Sequence, residues 1–275
     1  METRFTSLPK TRRIDEPYGF DPSLRESYER EGFVRVRAVF EAKVLAHYGK
    51  AISSEVVRRN AITAPLEERD TYHKAFLQVT NLWRTDDLAR EFVFGKRLAG
   101  IAAALLGVAR VRLYHDQALY KEPGGGITPW HADQFYWPLS SNKAITAWVP
   151  LQPTPLEMGP IAFAAGSHRM RFGRDLEIGD ESERSLGKAL AEGKFREDAA
   201  PFDFGEVSFH SGWTFHHTGN NATDRPRAVM TVIYVEDGIR LVPSQRKQHD
   251  VDREAFMPGV REGNVVDSPL NPVLN

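Results

Sequence analysis

The sequence contains no cysteine. Disulfides, thiolate catalysis and cysteine-ligated zinc or iron–sulfur centres are therefore excluded. Net charge is almost absent too: 36 Lys and Arg against 37 Asp and Glu leave -1 over 275 residues. That balance gives no electrostatic case for nucleic acid or for an anionic membrane surface. No apolar run approaches the ~20 residues needed to span a bilayer. The start, Met1 to Asp15, is polar and has no apolar core, which argues against a secretory signal and favours the cytoplasm. Internal repeats are missing, and so are Gly-x-Ser-x-Gly, P-loop and His-Glu-x-x-His patterns. Serine hydrolase, NTPase and zincin readings thus lack support.

What is present is an ordinary globular composition, 41% hydrophobic and 27% charged. Residues 1–20, with Pro9, Pro17 and Gly19, read as an irregular leader. A helix is expected from Asp21, with Pro22 in its first turn, to Glu31, ended by Gly32. A strand follows over Phe33–Phe40, then a helix over Glu41–Asn60 with Val44, Leu45, Tyr48, Ile52, Val56 and Val57 at helical spacing. A second long helix is expected over Leu88–Leu106. From Ala109 the character changes to short β-rich segments: Val111–Tyr114, Gln117–Tyr120, the stretch around Pro129–Trp137, Ala144–Leu151, Ile161–Ala165, Phe204–Phe209, Trp213–Thr218 and Arg227–Val235. Residues 170–203 read as a charged insertion with a helix over Glu181–Lys194, suited to lie over one rim as a lid. The tail from Asp237 reads as loop, and its basic run Arg240–Lys247 as solvated. Helices first and strands afterwards indicate α+β, with a β-sandwich or barrel core. No linker separates the mainly helical part (1–108) from the β part (109–236) and the tail (237–275), so one domain is expected.

The chemistry gathers around Pro129-Trp130-His131-Ala132-Asp133. Residues two apart in an extended strand point to one face, so His131 and Asp133 stand side by side. Together they make two-thirds of the two-His, one-carboxylate set of non-haem iron sites. His210, His216 and His217 are candidates for the third ligand, and the residues alone do not choose between His216 and His217. Arg227 shares a strand face with Val229, Thr231, Ile233 and Val235. Burying it is costly unless it is paired. It is either half of a structural salt bridge or a clamp for a ligand carboxylate, which a planar guanidinium suits.

Several segments together carry a resemblance: Lys121-Glu122-Pro123-Gly124, Trp130-His131-Ala132-Asp133, Trp148-Val149-Pro150-Leu151, Gly166-Ser167-His168-Arg169 and the run His216–Arg227. With these, the sequence resembles the phytanoyl-CoA dioxygenase family of iron(II)- and 2-oxoglutarate-dependent oxygenases, from the leader helix to Val235. The resemblance implies a double-stranded β-helix (jelly-roll, cupin-like) core with N-terminal helices packed on one sheet. It implies His131, Asp133 and His216 as iron ligands, the family pattern His-x-Ser/Thr-x-x-Asn fitting His216 to Asn221, with His217 facing away and His210 a neighbour. It further implies Arg227 and Thr218 at the distal carboxylate of 2-oxoglutarate, with Lys121, Trp148 and Gln117 near the cosubstrate. Ala165 stands where the family often has Pro, and His168 reads as structural.

The implied reaction is oxidation of a C–H bond of a small organic substrate, most simply a hydroxylation, using O2 and releasing succinate and CO2. Asp133 favours this over halogenation, for which related enzymes replace the carboxylate by a small residue. Cyclisation, epimerisation or desaturation with the same ligands stays open. Phe135, Tyr136 and Trp137 either wall a substrate pocket or pack the core. Phe76, Gln78, Asn81 and Trp83 are expected to approach the open face from the helical half. A cupin-type isomerase or hydrolase using Zn, Mn or Ni is the main rival, and it would have no need of Arg227. A binding module that has lost turnover is the second. No nucleic-acid or membrane partner is expected, and the chain is expected to be a monomer or homodimer.

Overall fold

The computed structural model describes residues 14–275; the start of the expected leader, Pro9 included, lies outside them. Helix α1 (Pro22–Glu31) begins as expected. The Asp21 carboxylate accepts from the Ser23 N–H, and Gly32, at φ 82, closes the helix. Strand β1 (Phe33–Val36) stops four residues short of expectation, because Ala38 takes a left-handed turn (φ 50). Helix α2 (Ala42–Arg59) follows. The sequence reading missed the short helix α3 (Thr71–Ala75) and strand β2 (Leu77–Thr80). The expected helix over residues 88–106 is two, α4 (Asp87–Val93) and α5 (Lys96–Leu106), with Gly95 as N-cap of the second. Glycine is a poor helix interior and a tolerated N-cap, so the break falls there.

The β part comprises β3 (Val111–Lys121), β4 (Thr128–His131), β5 (Ala144–Pro150), β6 (Ile161–Ala164), β7 (Glu197–Asp198), β8 (Val207–Ser211), β9 (His216–Thr218) and β10 (Arg227–Glu236). The two short strands expected within 111–120 are one strand that crosses a bulge against β10. Helix α6 (Asp180–Glu192) lies within the charged insertion. Helix α7 (Lys247–Phe256) overturns the expectation of a loop-like tail.

The strands form two antiparallel sheets, ordered β1-β8-β5-β10-β3-β2 and β4-β9-β6-β7, facing each other without closing into a barrel. Alternation decides the faces. On β5, Ile145, Ala147 and Val149 pack outward with Leu45, Ile52, Phe92 and Ala102 of the N-terminal helices in one apolar cluster. Thr146 and Trp148 of the same strand point between the sheets. There Phe33 of β1 stacks on Phe163 of β6 at 4.3 Å between ring centroids, joining the sheets. The helices thus cover one face of the larger sheet and leave the inner face for the site.

Candidate metal centre and ligand cavity

A cavity of about 190 Å3 opens between the sheets. Strand β4 ends at His131, Ala132 is extended, and a 3-10 turn begins at Asp133. The pairing of β4 with β9 sets His131 opposite His216. The result is one cluster: Nε2 of His131 and Nε2 of His216 each lie 3.7 Å from Oδ1 of Asp133. All three donor atoms fall within 4.8 Å of one another.

The surroundings orient these donors. His131 donates its Nδ1–H to the Pro129 carbonyl (2.8 Å), and His216 does the same to Thr214 (3.0 Å). Each ring therefore keeps an Nε2 lone pair turned to the common point. Asp133 Oδ2 accepts from the Thr146 hydroxyl (2.9 Å) and from His210 Nε2 (3.2 Å), which leaves Oδ1 to face the imidazoles. Burial pushes the pKa values of His131 and His216 down. Burial alone would raise Asp133, but His216, His210 and His131 together hold it well below the usual carboxylate range. At neutral pH the cluster is two neutral imidazoles and a carboxylate, a donor set suited to a divalent cation.

Of the two adjacent histidines, His217 faces the other way. Its ring stacks on Trp130 at 3.9 Å, and its Nε2 meets Glu197 at 3.0 Å. His210 touches Asp133 from behind.

Thr218 follows His216 by two residues on the same face, about 7 Å along the strand. Its hydroxyl donates to Thr128 (2.8 Å), and both threonines line the cavity. Arg227, 1% exposed, reaches the same space. Its Nη1 donates to the Gly159 carbonyl, its Nε has no partner, and its guanidinium lies 5.6 Å from the Trp148 ring. No Asp or Glu pairs with it among the described residues. The structural salt bridge weighed from the sequence is therefore absent. Gly159 is at φ 65, and a Cβ there would stand 2.3 Å from the Gly219 carbonyl, so only glycine fits where Arg227 is anchored.

Other expected contacts divide. Gln117, Trp148, Tyr136, Trp137, Phe76 and Gln78 line the cavity. Lys121 does not: it is fully buried beside Arg227 and its Nζ donates to Gly126. Burial, then the Arg227 charge, pushes its pKa down to about 6, so at neutral pH it adds no charge. Phe135 does not line the cavity either, because the turn begun at Asp133 redirects it under the Arg246 guanidinium (4.1 Å). Asn81 and Trp83 stay in the helical half, Trp83 within the apolar core. His168 sits against Gly32, away from the cluster.

Sequence reasoning missed Thr146, Thr128, Tyr72, His115, Asp252 and Phe256, all on the cavity wall. For Thr146 the signal was its alternation with Trp148. For α7 it was the spacing of His249, Asp252 and Phe256. The insertion does reach the rim: Ile178 lines the cavity, and its N–H donates to the Tyr136 hydroxyl (3.3 Å).

Comparison with known proteins gives these features a context. A curated relative, a probable alpha-ketoglutarate-dependent hypophosphite dioxygenase from Stutzerimonas stutzeri, is 22% identical over 225 residues, 75% of this chain and 76% of its own. Among solved structures, the epimerase SnoN from nogalamycin biosynthesis, in complex with Fe3+, alpha ketoglutarate and nogalamycin RO, superposes with a TM-score of 0.77 at 26% identity. That match covers 93% of this chain and 100% of SnoN. The carbocyclase SnoK shares the fold, with a TM-score of 0.76 at 22% identity over 94% of this chain and 100% of SnoK. The family model described as phytanoyl-CoA dioxygenase matches residues 28–229, well over half of the sequence, and the chain belongs to that family.

Proposed function

We propose that the protein is an iron(II)- and 2-oxoglutarate-dependent oxygenase acting on a C–H bond of a small organic substrate. One observation carries the choice over a non-redox metal enzyme on a similar scaffold. A buried arginine with no carboxylate partner opens into the cavity that holds the His–Asp–His cluster. Such a guanidinium is costly without an anion, and a dicarboxylic acid supplies one.

His131, Asp133 and His216 would hold the iron. Iron(II) with 2-oxoglutarate supplies, when bound, the O2-dependent oxidation of an unactivated C–H bond, with 2-oxoglutarate leaving as succinate and CO2. The chain's own part is placement. Arg227 and Thr218 fix the distal carboxylate, and the Gly159 carbonyl aims the guanidinium. Thr146 and His210 occupy one oxygen of Asp133, so that it offers the other. Trp148, Ile161 and Leu119 give the cosubstrate end apolar walls that keep water out. Phe76, Tyr136 and Trp137 form part of the remaining wall, where substrate would sit.

Hydroxylation is the simplest outcome. Epimerisation is the second reading, favoured by the likeness to SnoN. Succinate release in the presence of iron(II), 2-oxoglutarate and O2 tests the class, and its persistence after His131→Ala would reject the ligand assignment. Labelled O2 separates the outcomes, since succinate takes up label in both but only hydroxylation leaves it in the oxidised organic substrate. The same proposal takes residues 1–275 as one oxygenase domain, monomeric or homodimeric and cytoplasmic. Among the described residues no helix is long and apolar enough to cross a membrane.

A further inference from the structure

Helix α7 buries a stripe that plain packing does not explain. Its inward positions, spaced by three and four residues, are His249, Asp252 and Phe256. His249 is tied to the Phe135 carbonyl at 3.0 Å. Asp252 is 7% exposed, lines the cavity, and has the Tyr114 hydroxyl as its hydrogen-bond partner. No Lys or Arg pairs with it among the described residues. Burial pushes its pKa up to about 8, the cost of a carboxylate without a countercharge.

Around it stand aromatic rings. Phe256 stacks on His115 at 3.9 Å between centroids, and Tyr114 meets Trp137 at 5.7 Å and Phe256 at 6.1 Å. His115 lines the same wall and leaves its Nδ1 without a partner. Burial pushes its pKa down to about 4, so the ring is neutral. This wall lies far from the anion clamp. Arg227 pairs in register with Lys121 and Ile233 with His115, six residues along β10, about 20 Å of strand. The cavity thus has an arginine at one end and a carboxyl among aromatic rings at the other.

We propose that Asp252, with His115 and the rings of Trp137 and Phe256, forms a recognition site for a protonated amine, so that the oxidised substrate carries a basic nitrogen. An ammonium group supplies the missing countercharge that holds the carboxyl ionised, N–H donors to its oxygens, and a cation beside the aromatic rings. Asp252 is a specificity residue, and the proposal rests on the oxygenase reading above.

Benzylamine and benzyl alcohol test it, as a matched pair differing in charge. Their binding is titrated against the full chain loaded with Mn(II) and 2-oxoglutarate, followed by tryptophan fluorescence and calorimetry. Benzylamine is expected to bind roughly 10–100-fold more tightly than the alcohol, the range of a buried hydrogen bond to a charged group. Asp252→Asn keeps the size and the Tyr114 contact, and should bring the two ligands to within about twofold while leaving 2-oxoglutarate affinity unchanged. Equal binding of both probes by the unaltered protein overturns the proposal whatever the variant does, and so does a preference that survives Asp252→Asn. Failure of the oxygenase reading shows separately, as an absence of metal-dependent 2-oxoglutarate binding.

Discussion

Replacing Arg227 by methionine should make the ligand-free protein more stable and the ligand-bound protein less so. Burial pushes the Arg227 pKa from the ordinary 12.5 down to about 9. At about 1.4 kcal/mol per pH unit, that drop corresponds to about 5 kcal/mol of strain against the charged form. The sign follows from linkage: a base with a depressed folded pKa destabilises the fold at every pH below that value, so the whole cost is present at pH 7. Against it stand the hydrogen bond to Gly159 and the contact with Trp148, each about 1 kcal/mol. Methionine removes the charge and keeps most of the volume. The net expectation is a gain of about 1–3 kcal/mol in urea unfolding of the apo protein. Affinity for 2-oxoglutarate should fall by about 2–5 kcal/mol, roughly 30-fold to several-thousand-fold. A structural ion pair predicts the opposite, a loss of about 3–5 kcal/mol without ligand. Destabilised apo protein with unchanged 2-oxoglutarate affinity would refute the reasoning.

Further outcomes follow from the same geometry. Asp133→Ala should abolish both tight Mn(II) binding, measured by calorimetry, and succinate release. Thr146→Val removes one hydrogen bond from Asp133 Oδ2 and should weaken metal binding by about 10–100-fold, with a far-UV spectrum like that of the unaltered protein. Thr218→Val should raise the KM for 2-oxoglutarate by roughly tenfold and leave metal affinity unchanged, as the two titrations would show. Asp252 has its folded pKa raised from 3.8 to about 8, so its neutral form stabilises the fold below pH 4, and that contribution is lost as the pH rises to 8. Asp252→Asn should therefore be more stable than the unaltered protein at pH 8.5 by a few kcal/mol, a gap that narrows towards pH 5 in denaturant titrations.

The clearest parts of the fold in the sequence were those fixed by local rules. Asp21 with Pro22 opens α1, Gly32 closes it, and strict alternation on β5 and β10 sorts core from cavity. The elements that escaped depend on partners distant in the chain. Strand β2 exists because Leu77 to Thr80 pair with β3, and α7 is polar over most of its length. In the site, His131 and Asp133 announce themselves by their spacing. Choosing His216 over His217 required either the family pattern or the register of β9, which no local signal specifies. Lys121 was placed near the cosubstrate by its match to the family, yet its amine turns back to Gly126.

The short strand β9 also carries a safeguard. Its three residues sit edge to edge between β4 and β6, and a slip of one would turn His217 inward. An imidazole would then still reach the ion, but glycine would stand where a hydroxyl should be, and the enzyme would hold metal while losing its grip on the co-reactant. Trp130 and Glu197, gripping His217 from outside, penalise that miswiring. Loosening either contact should yield a protein that loads with iron normally and yet idles.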